Sequence, residues 1–387
     1  MSDWKEYKLK DVAYLTTGFP FDGHKYGKDG VRVVRGDNVT IGSLRWDPEK
    51  DKRWSEPFER SQEFSLKADD IVIGMDGSRV GKNRAQVKAS DLPLLLAQRV
   101  ACVRHNDLSI QSFLYYQIFN DKFEKYIKAV QTGTSIPHVS LKQIGDYPII
   151  LPPLSVQHKI SDVLKYLDDK IECNRRINEN LEQQAQALFK SWFVDFEPYK
   201  DQPFVESELG MIPQGWIVET LGNLLDIKYG KDHKKLSDGE IPVYGSGGLM
   251  RYAEKALYSG ESVLIPRKGS LNNVMYVNEA FWTVDTMFYS IPKVSDVMLY
   301  SYIYLSNRDL SSLNAGSAVP SMTTEILNSM KVVFPDNIVL KDFNKKAQTL
   351  YKSLKLYEQE SRRLAELRDT LLPKLMSGEI NVNDCLI

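Results

Sequence analysis

The chain has 387 residues, 42% of them hydrophobic, with 50 Lys/Arg against 51 Asp/Glu and a formal net charge of −1. That is the balance of a soluble globular protein of two or three domains, not of a disordered or fibrous one. It excludes nucleic-acid binding through bulk charge, so any such surface must come from local clusters of basic residues.

Residues 1–150 read as a strand-rich α+β domain. Val31-Arg-Val-Val34, Ile71-Val-Ile73 and Val100-Ala-Cys-Val103 are short, β-branched and bounded by Gly, Asp and Asn. An amphipathic helix is expected over Ile110–Val130. Residues 151–197 form a long helix that opens after Pro152-Pro153 with Ser155 as N-cap. Its apolar positions 160, 164, 167, 171, 181, 185 and 188 include the alternation by three and four of a coiled-coil seam. Pro198 ends it.

Residues 198–335 hold a linker and a second strand-rich domain, in which Ser262-Val-Leu-Ile265 matches Asp70-Ile-Val-Ile73 and a short amphipathic helix covers Val297–Arg308. Residues 336–378 form the second long helix, capped by Asp336 or Asn337 and ended by Ser377-Gly378. Its seam runs through Phe343, Ala347, Leu350, Leu354, Tyr357, Leu364 and Leu371, and residues 379–387 are a tail. Asn174, Asn178 and Ser361 fall on the seams, where polar residues cost stability but can fix register. A stripe of roughly 35 residues spans about 50 Å, more than one domain of this size. Two such helices are expected to pack antiparallel, with the domains at opposite ends about a pseudo-twofold axis. The alternative is that each helix packs on its own domain.

The chain repeats itself. Gly133-Thr-Ser-Ile136-Pro137 returns as Gly316-Ser-Ala-Val319-Pro320, a spacing of 183 that also carries Ile144 to Leu327, Pro152 to Pro335 and Leu188 to Leu371. Trp4, Leu9 and Gly18 return as Trp216, Leu221 and Gly230 at a spacing of 212. A repeat this long implies a duplicated domain plus helix, not a solenoid. A kept frame with divergent middles suits a protein that reads two different things at a set distance.

No catalytic constellation survives inspection. Gly77-Ser-Arg-Val-Gly81-Lys82-Asn83 is one residue short of a phosphate loop and has Asn where Ser/Thr would hold Mg²⁺. Gly245-Ser-Gly247-Gly248 lacks the strand–GxGxxG–helix frame of a dinucleotide site. Pro335-Asp336 has no nuclease-like Glu/Asp-x-Lys after it, and Leu151-Pro-Pro-Leu154 lacks the amide of a methyltransferase loop. Cys102, Cys173 and Cys385 are far apart, so reduced thiols and no metal site are expected. No apolar run approaches the ~18 residues of a membrane span. The start, Met-Ser-Asp-Trp-Lys-Glu, lacks an apolar signal core, and a cytoplasmic location without a membrane partner is expected.

What both domains do carry is basic, amide-rich loops at matching places. In the first these are Asp22-Gly-His24-Lys25-Tyr26-Gly-Lys28, Arg32 with Arg35, and Ser78-Arg79-Val-Gly-Lys82-Asn83-Arg84. In the second they are Lys231-Asp-His-Lys234-Lys235, Tyr244 to Tyr252 with Arg251, and Arg267-Lys268-Gly-Ser270-Leu-Asn272-Asn273. Lys and Arg neutralise phosphates, while Arg on guanine and Asn on adenine read base edges. Solvated surface loops are the bland alternative. Trp192, Phe193 and Phe196 end the first long helix, either packing it onto a domain or meeting a partner protein.

Several stretches resemble a known family. Ala187-Leu-Phe-Lys-Ser-Trp-Phe-Val-Asp-Phe-Glu-Pro198, Leu371-Leu-Pro-Lys-Leu-Met-Ser-Gly-Glu-Ile380, Ile149-Ile-Leu-Pro-Pro-Leu154, the Gly-Thr-Ser-Ile-Pro loop, Ile241-Pro-Val-Tyr-Gly-Ser-Gly-Gly248 and Phe281-Trp-Thr-Val-Asp-Thr-Met-Phe288 look like the specificity subunit of Type I restriction–modification enzymes. The resemblance covers essentially the whole chain. It implies two tandem target-recognition domains, each binding half of an asymmetric bipartite site on double-stranded DNA, joined by two helices as an antiparallel spacer. It also implies docking of methyltransferase (modification) subunits and of a restriction/translocase subunit, with no cofactor and no catalytic residue on this chain. The competing readings are a coiled-coil scaffold with two protein-binding heads, or a nuclease or methyltransferase with a disguised site.

Overall fold

The computed structural model describes residues 4–58, 61–133, 135–313 and 321–382. The Gly316–Pro320 loop and Cys385 lie outside them. The chain forms two compact units, residues 1–171 with 362–387, and residues 172–361. Each therefore holds one strand-rich domain and part of each long helix.

In the first unit, a four-stranded sheet has the order Ala13–Thr17, Val100–His105, Ile71–Gly74, Arg84–Gln86, all antiparallel. Its central strands are apolar on both faces because both faces are covered. Ile71, Ile73, Ala101 and Val103 point into a core with Phe113, Leu114, Phe123 and Ile127, while Val72, Val100 and Cys102 pack with Leu94 and Leu96 on the other side. A three-stranded sheet pairs Val31–Val34 antiparallel with Arg53–Trp54 and parallel with Leu94–Leu96. The single helix expected over 110–130 is two, Gln111–Ile118 and Asp121–Val130. Asn120 separates them: its Oδ1 accepts from Phe123 N and its Nδ2 donates to Tyr116 O and Gln117 O, which closes one helix and caps the next.

The second unit carries a six-stranded sheet in the order Leu225–Tyr229, Met287–Pro292, Tyr258–Pro266, Met275–Thr283, Ile241–Gly245, Gly248–Ala253. Its helix Val297–Ser306 is buried nearly all round, from Val297 to Tyr300 and again at Ile303 to Leu305, so it is a core helix and not the amphipathic one expected.

The duplication is kept in the pairing register. Lys5 pairs with Leu151 and Ile217 with Phe334; Thr17 with Ala101 and Tyr229 with Phe288; Gly74 with Val100 and Pro266 with Met287. Leu9 N donates to Tyr147 O at 2.9 Å and Leu221 N to Met330 O at 2.8 Å. Ser140 and Thr323 cap equivalent short helices through the same side-chain bond. Gly18 and Gly230 are kept for one reason: a Cβ on either would lie 2.0 Å from a backbone carbonyl oxygen, of Leu96 or of Val284.

The long helices are Leu154–Phe193 and Asn337–Ser377. Ser155 is not the N-cap of the first. The helix begins a residue earlier, and the Pro153 carbonyl accepts from Val156 and Gln157. Asp336 caps the second, accepting from Ile338 N and Val339 N, and Gly378 ends it at φ +74°. Within each unit the helix segments pair antiparallel. In the first, Arg368 donates to Asp168 at 2.7 Å, and Ile160 and Leu164 share a core with Leu375 and Met376. In the second, Asn174 Nδ2 donates to Glu360 at 2.7 Å, and further along the Phe193 ring lies 4.8 Å from Phe343. Asn174 is thus buried on the seam with Glu360 as the polar partner of its Nδ2.

Candidate nucleic-acid interface

In the first unit three loops meet where the strand Ile71–Gly74 ends. Met75 N donates to Arg99 O at 3.1 Å, Gly77 N to Pro137 O at 3.0 Å, and Val139 N to Met75 O at 2.9 Å. The turn between them needs φ +103° at Gly77. Asp76 sits at the junction, bonded to His138 Nδ1 and 3.6 Å from Arg99 Nε. Ser78 and Arg79 are exposed beside it. Lys82 is exposed too, 3.5 Å from Glu124, whose carboxyl is held below its usual range first by a hydrogen bond from Lys128 and also by Lys82. Asn83 is half-buried and its carbonyl accepts from Gly74 N.

Arg84 faces the other way. Its guanidinium donates to Gly81 O and Asn120 O and lies 5.5 and 5.6 Å over the rings of Phe119 and Phe123. Burial lowers its pKa, and its donors are committed to packing. Lys25 and Arg35 stand apart, around the three-stranded sheet. Lys25 pairs with Glu56 at 3.0 Å, and Arg35 stacks 5.6 Å over Tyr26 and 3.9 Å from Asp37. Arg32 is held by Asp51 at 3.1 Å and by the Trp46 face.

The second unit builds the same junction. Arg267 N donates to Thr286 O at 2.8 Å, Met322 N to Arg267 O at 2.9 Å, and the turn has φ +85° at Gly269. Arg267 extends over Tyr229, 5.3 Å from the ring centroid, and donates to Asp285 O. Asn273 Nδ2 donates to Ser246 O at 2.8 Å, which joins two loops that are distant in sequence. Asn272 is spent internally: it donates to Asp309 and accepts from Ser311 N. Arg251 is a strut, donating to Asp238, His233 O and Leu236 O. It holds the 231–238 loop in shape and leaves Lys231, Lys234 and Lys235 exposed, without an ion pair among the described residues. Lys268 and Ser270 are exposed.

The junctions therefore gather Ser78, Arg79 and Lys82 in one unit, and Arg267, Lys268, Ser270, Asn273 and Ser246 in the other. They also include Asp76, Arg99, His138, Tyr229 and Thr286, which sequence reasoning missed. Nothing local in Gln98-Arg99 or Pro137-His138 marks them; only the loops' spatial convergence does. The aromatic cluster resolves toward packing. Phe193 is buried against Tyr300, Phe343 and Trp216, Trp192 lies 6.0 Å from Phe343, and Phe196 is 5.7 Å from Trp216. These ring faces fasten the helix end to its own domain, the first of the two roles expected of Trp192, Phe193 and Phe196.

The chain is thus a duplicated, two-domain protein whose register-matched loop junctions carry divergent polar side chains. Residues 1–183 and 213–355 both match the Type I restriction modification DNA specificity domain, and the chain belongs to that family, the non-catalytic DNA-recognition subunits of these systems. It is 26% identical to the Type I restriction enzyme MjaIX specificity subunit of Methanocaldococcus jannaschii, over 76% of this chain and 74% of that one. It is 23% identical to the HindI specificity subunit of Haemophilus influenzae, over 98% and 100%. Its fold is shared with the Type-I restriction-modification system S subunit from M. genitalium, at a TM-score of 0.61, 19% identity, and coverage of 97% and 96%. Among the described residues, no helix is long and apolar enough to cross a membrane, and no cluster of His, Cys, Asp and Glu is suited to a metal ion.

Proposed function

We propose that this chain is the sequence-reading subunit of a cytoplasmic Type I restriction–modification complex. Each recognition domain contacts one half of an asymmetric bipartite site on double-stranded DNA. The paired helices serve as the spacer between half-sites, and methyltransferase subunits and a restriction/translocase subunit are the protein partners. The observation that carries this reading is the family match falling twice, on two domains whose frames agree in register while their exposed loops differ. Unlike loops on like frames imply unlike half-sites. The near-neutral chain is compatible with this, because phosphate neutralisation needs a few placed cations, not a high total.

The test is to map methylated adenines in the source genome with and without this gene, and then with residues 1–150 exchanged for those of another family member. The expected result is one bipartite motif that depends on the gene and changes in one half only after the exchange. No gene-dependent motif, or a change in both halves, defeats the proposal.

A further inference from the structure

The duplication supplies an internal control. Positions that build the frame must be kept in both copies, whereas positions that read must differ if the half-sites differ. At the loop junction the backbone is kept. Met75 N to Arg99 O corresponds to Arg267 N to Thr286 O, and Val139 N to Met75 O corresponds to Met322 N to Arg267 O. The isolated bridge Asp76 to His138 corresponds to Lys268 to Ser321, and Gly77 and Gly269 share a positive φ. The side chains mounted on this frame are not kept. Asp76 is replaced by Lys268, His138 by Ser321 and Arg99 by Thr286. Charge is reversed at one point and removed at a second, and an imidazole is lost at a third, on a backbone that keeps the same hydrogen bonds. Equivalent positions that are buried or closely packed, Leu9 and Leu221, Ile144 and Leu327, Gly18 and Gly230, show no such exchange.

We propose that Arg99 and His138, beside Arg79, read base edges of the first half-site, and that Asp76 is their positioning residue. The proposal rests on the DNA-reading function above and names the residues that carry it in one unit. The Arg99 side chain is 67% exposed and tethered through Nε to Asp76 at 3.6 Å, an ion pair too long to be a hydrogen bond. Its terminal NH2 groups form the fork that matches O6 and N7 of guanine in the major groove. His138 is turned by the same carboxylate. With Asp76 accepting from Nδ1–H, the other ring nitrogen is an acceptor in the neutral imidazole and suits an exocyclic amino group of adenine or cytosine. A carboxylate alone on a DNA-facing tip would repel phosphate. This one is offset by the Arg99 cation and accepts from the His138 ring, the two groups that it aims. Arg79, exposed two residues after Gly77, supplies a cation that sets position on the backbone.

The experiment uses the full chain assembled with its modification subunits, read by methylation of a randomised-site DNA library. Wild type, Arg99→Ala, Arg99→Lys, His138→Gln, Asp76→Asn and the Asp76→Asn/Arg99→Ala double variant are compared. Arg99→Ala is expected to lower discrimination roughly 5- to 150-fold at one guanine of one half-site and to leave the other half-site untouched. Arg99→Lys, which keeps the charge but not the fork, is expected to relax the same position. Asp76→Asn is expected to relax the positions governed by Arg99 and His138, with the double variant no worse at the guanine than Arg99→Ala alone. A merely structural Asp76 would instead blur every position of the first half-site, or add to the effect of Arg99→Ala. Retained discrimination at the other positions of the first half-site shows that the first unit of each variant is folded. Unchanged discrimination at every position in Arg99→Ala and His138→Gln overturns the inference, as does full guanine preference in Arg99→Lys. If wild type itself yields no bipartite motif, it is the DNA-reading function that fails, a separate outcome.

Discussion

Replacing Gly18 with alanine should destabilise the first unit selectively. The added Cβ would lie 2.0 Å from Leu96 O, 2.2 Å from Leu96 C and 2.4 Å from Ala97 C, all backbone atoms that no rotamer change can move. Real Cβ atoms stay beyond 3.0 Å from such neighbours, so the two segments must separate by about 1 Å. That separation strains Phe19 N to Leu96 O at 2.9 Å and Gln98 N to Phe19 O at 3.0 Å. Two such bonds contribute about 0.5–1.5 kcal/mol each. Overpacking adds about 1–3 kcal/mol, for a total cost of about 2–6 kcal/mol. For a unit of this size about 1 kcal/mol moves Tm by roughly 2–4 °C, so a fall of about 5–20 °C is expected. Hydrogen exchange read by mass spectrometry should locate the loss in Ala13–Thr17 and Val100–His105, with the second unit protected as in wild type. Gly230→Ala should mirror it through Val284 O, 2.0 Å from its Cβ. The controls are Gly36→Ala and Gly247→Ala, where nothing lies within 4 Å, and these should change stability by less than about 1 kcal/mol. If Gly18→Ala melted with the controls, close backbone approach would not be why both copies keep glycine.

Three other substitutions probe the charges. Asp70, 2% exposed, accepts from Arg104 Nε at 2.7 Å and from its NH2 at 2.6 Å; Asp70→Ala should cost about 3–5 kcal/mol in chemical denaturation, since it leaves a half-buried guanidinium unpaired. The pKa of Asp146 is lowered from 3.8 to about 2 by hydrogen bonds from Lys10 and then Lys8, so its contribution is present above pH 3.8 and is lost as pH falls through about 2. Asp146→Asn should therefore flatten the acid limb of first-unit stability, and an unchanged limb would remove this pair from it. Alanine at Lys231, Lys234 and Lys235 together should weaken binding evenly across sequences and reduce the salt slope by about 1 for each phosphate that is no longer neutralised; a steep slope retained in full would clear the loop.

Much of the frame can be read from residues alone because burial leaves a periodic trace. The spacing of Phe343, Ala347, Leu350 and Leu354 reports a seam whichever partner fills it, and all four are buried or half-buried. Pro137 and Pro320 expose the duplication because the helices after them admit no insertion. The strand match of Ile73 with Ile265 already sets Gly74 against Pro266, but the correspondence of Val100 with Met287 is hidden in the sequence, since the intervening loops changed length while the hydrogen-bond register did not. Residue-type rules fail where a neighbouring group wins. Ser155 is a good cap by type, but the Pro153 carbonyl has already begun the helix. Asn120 reads as a helix interior by position, yet its side chain bonds both helices it separates.

The site is less legible for a reason that follows from the same duplication. Arg84 and Arg99 are alike on paper, each beside a short strand. Arg84 turns inward because Phe119 and Phe123, more than thirty residues later, offer it ring faces and Asn120 a carbonyl. Arg99 has no such cover and is aimed by Asp76, itself placed by the Gly77 turn. Whether a cation packs or reads is thus decided by what the fold brings near it, not by its neighbours in sequence. Selection on a reader keeps the residues that place the turn and frees those mounted on it. Gly77 and Gly269 persist as a pair while Asp76 and Lys268 do not, so the positions that carry specificity are the ones a repeat search passes over. They become visible only when two copies are laid on one backbone.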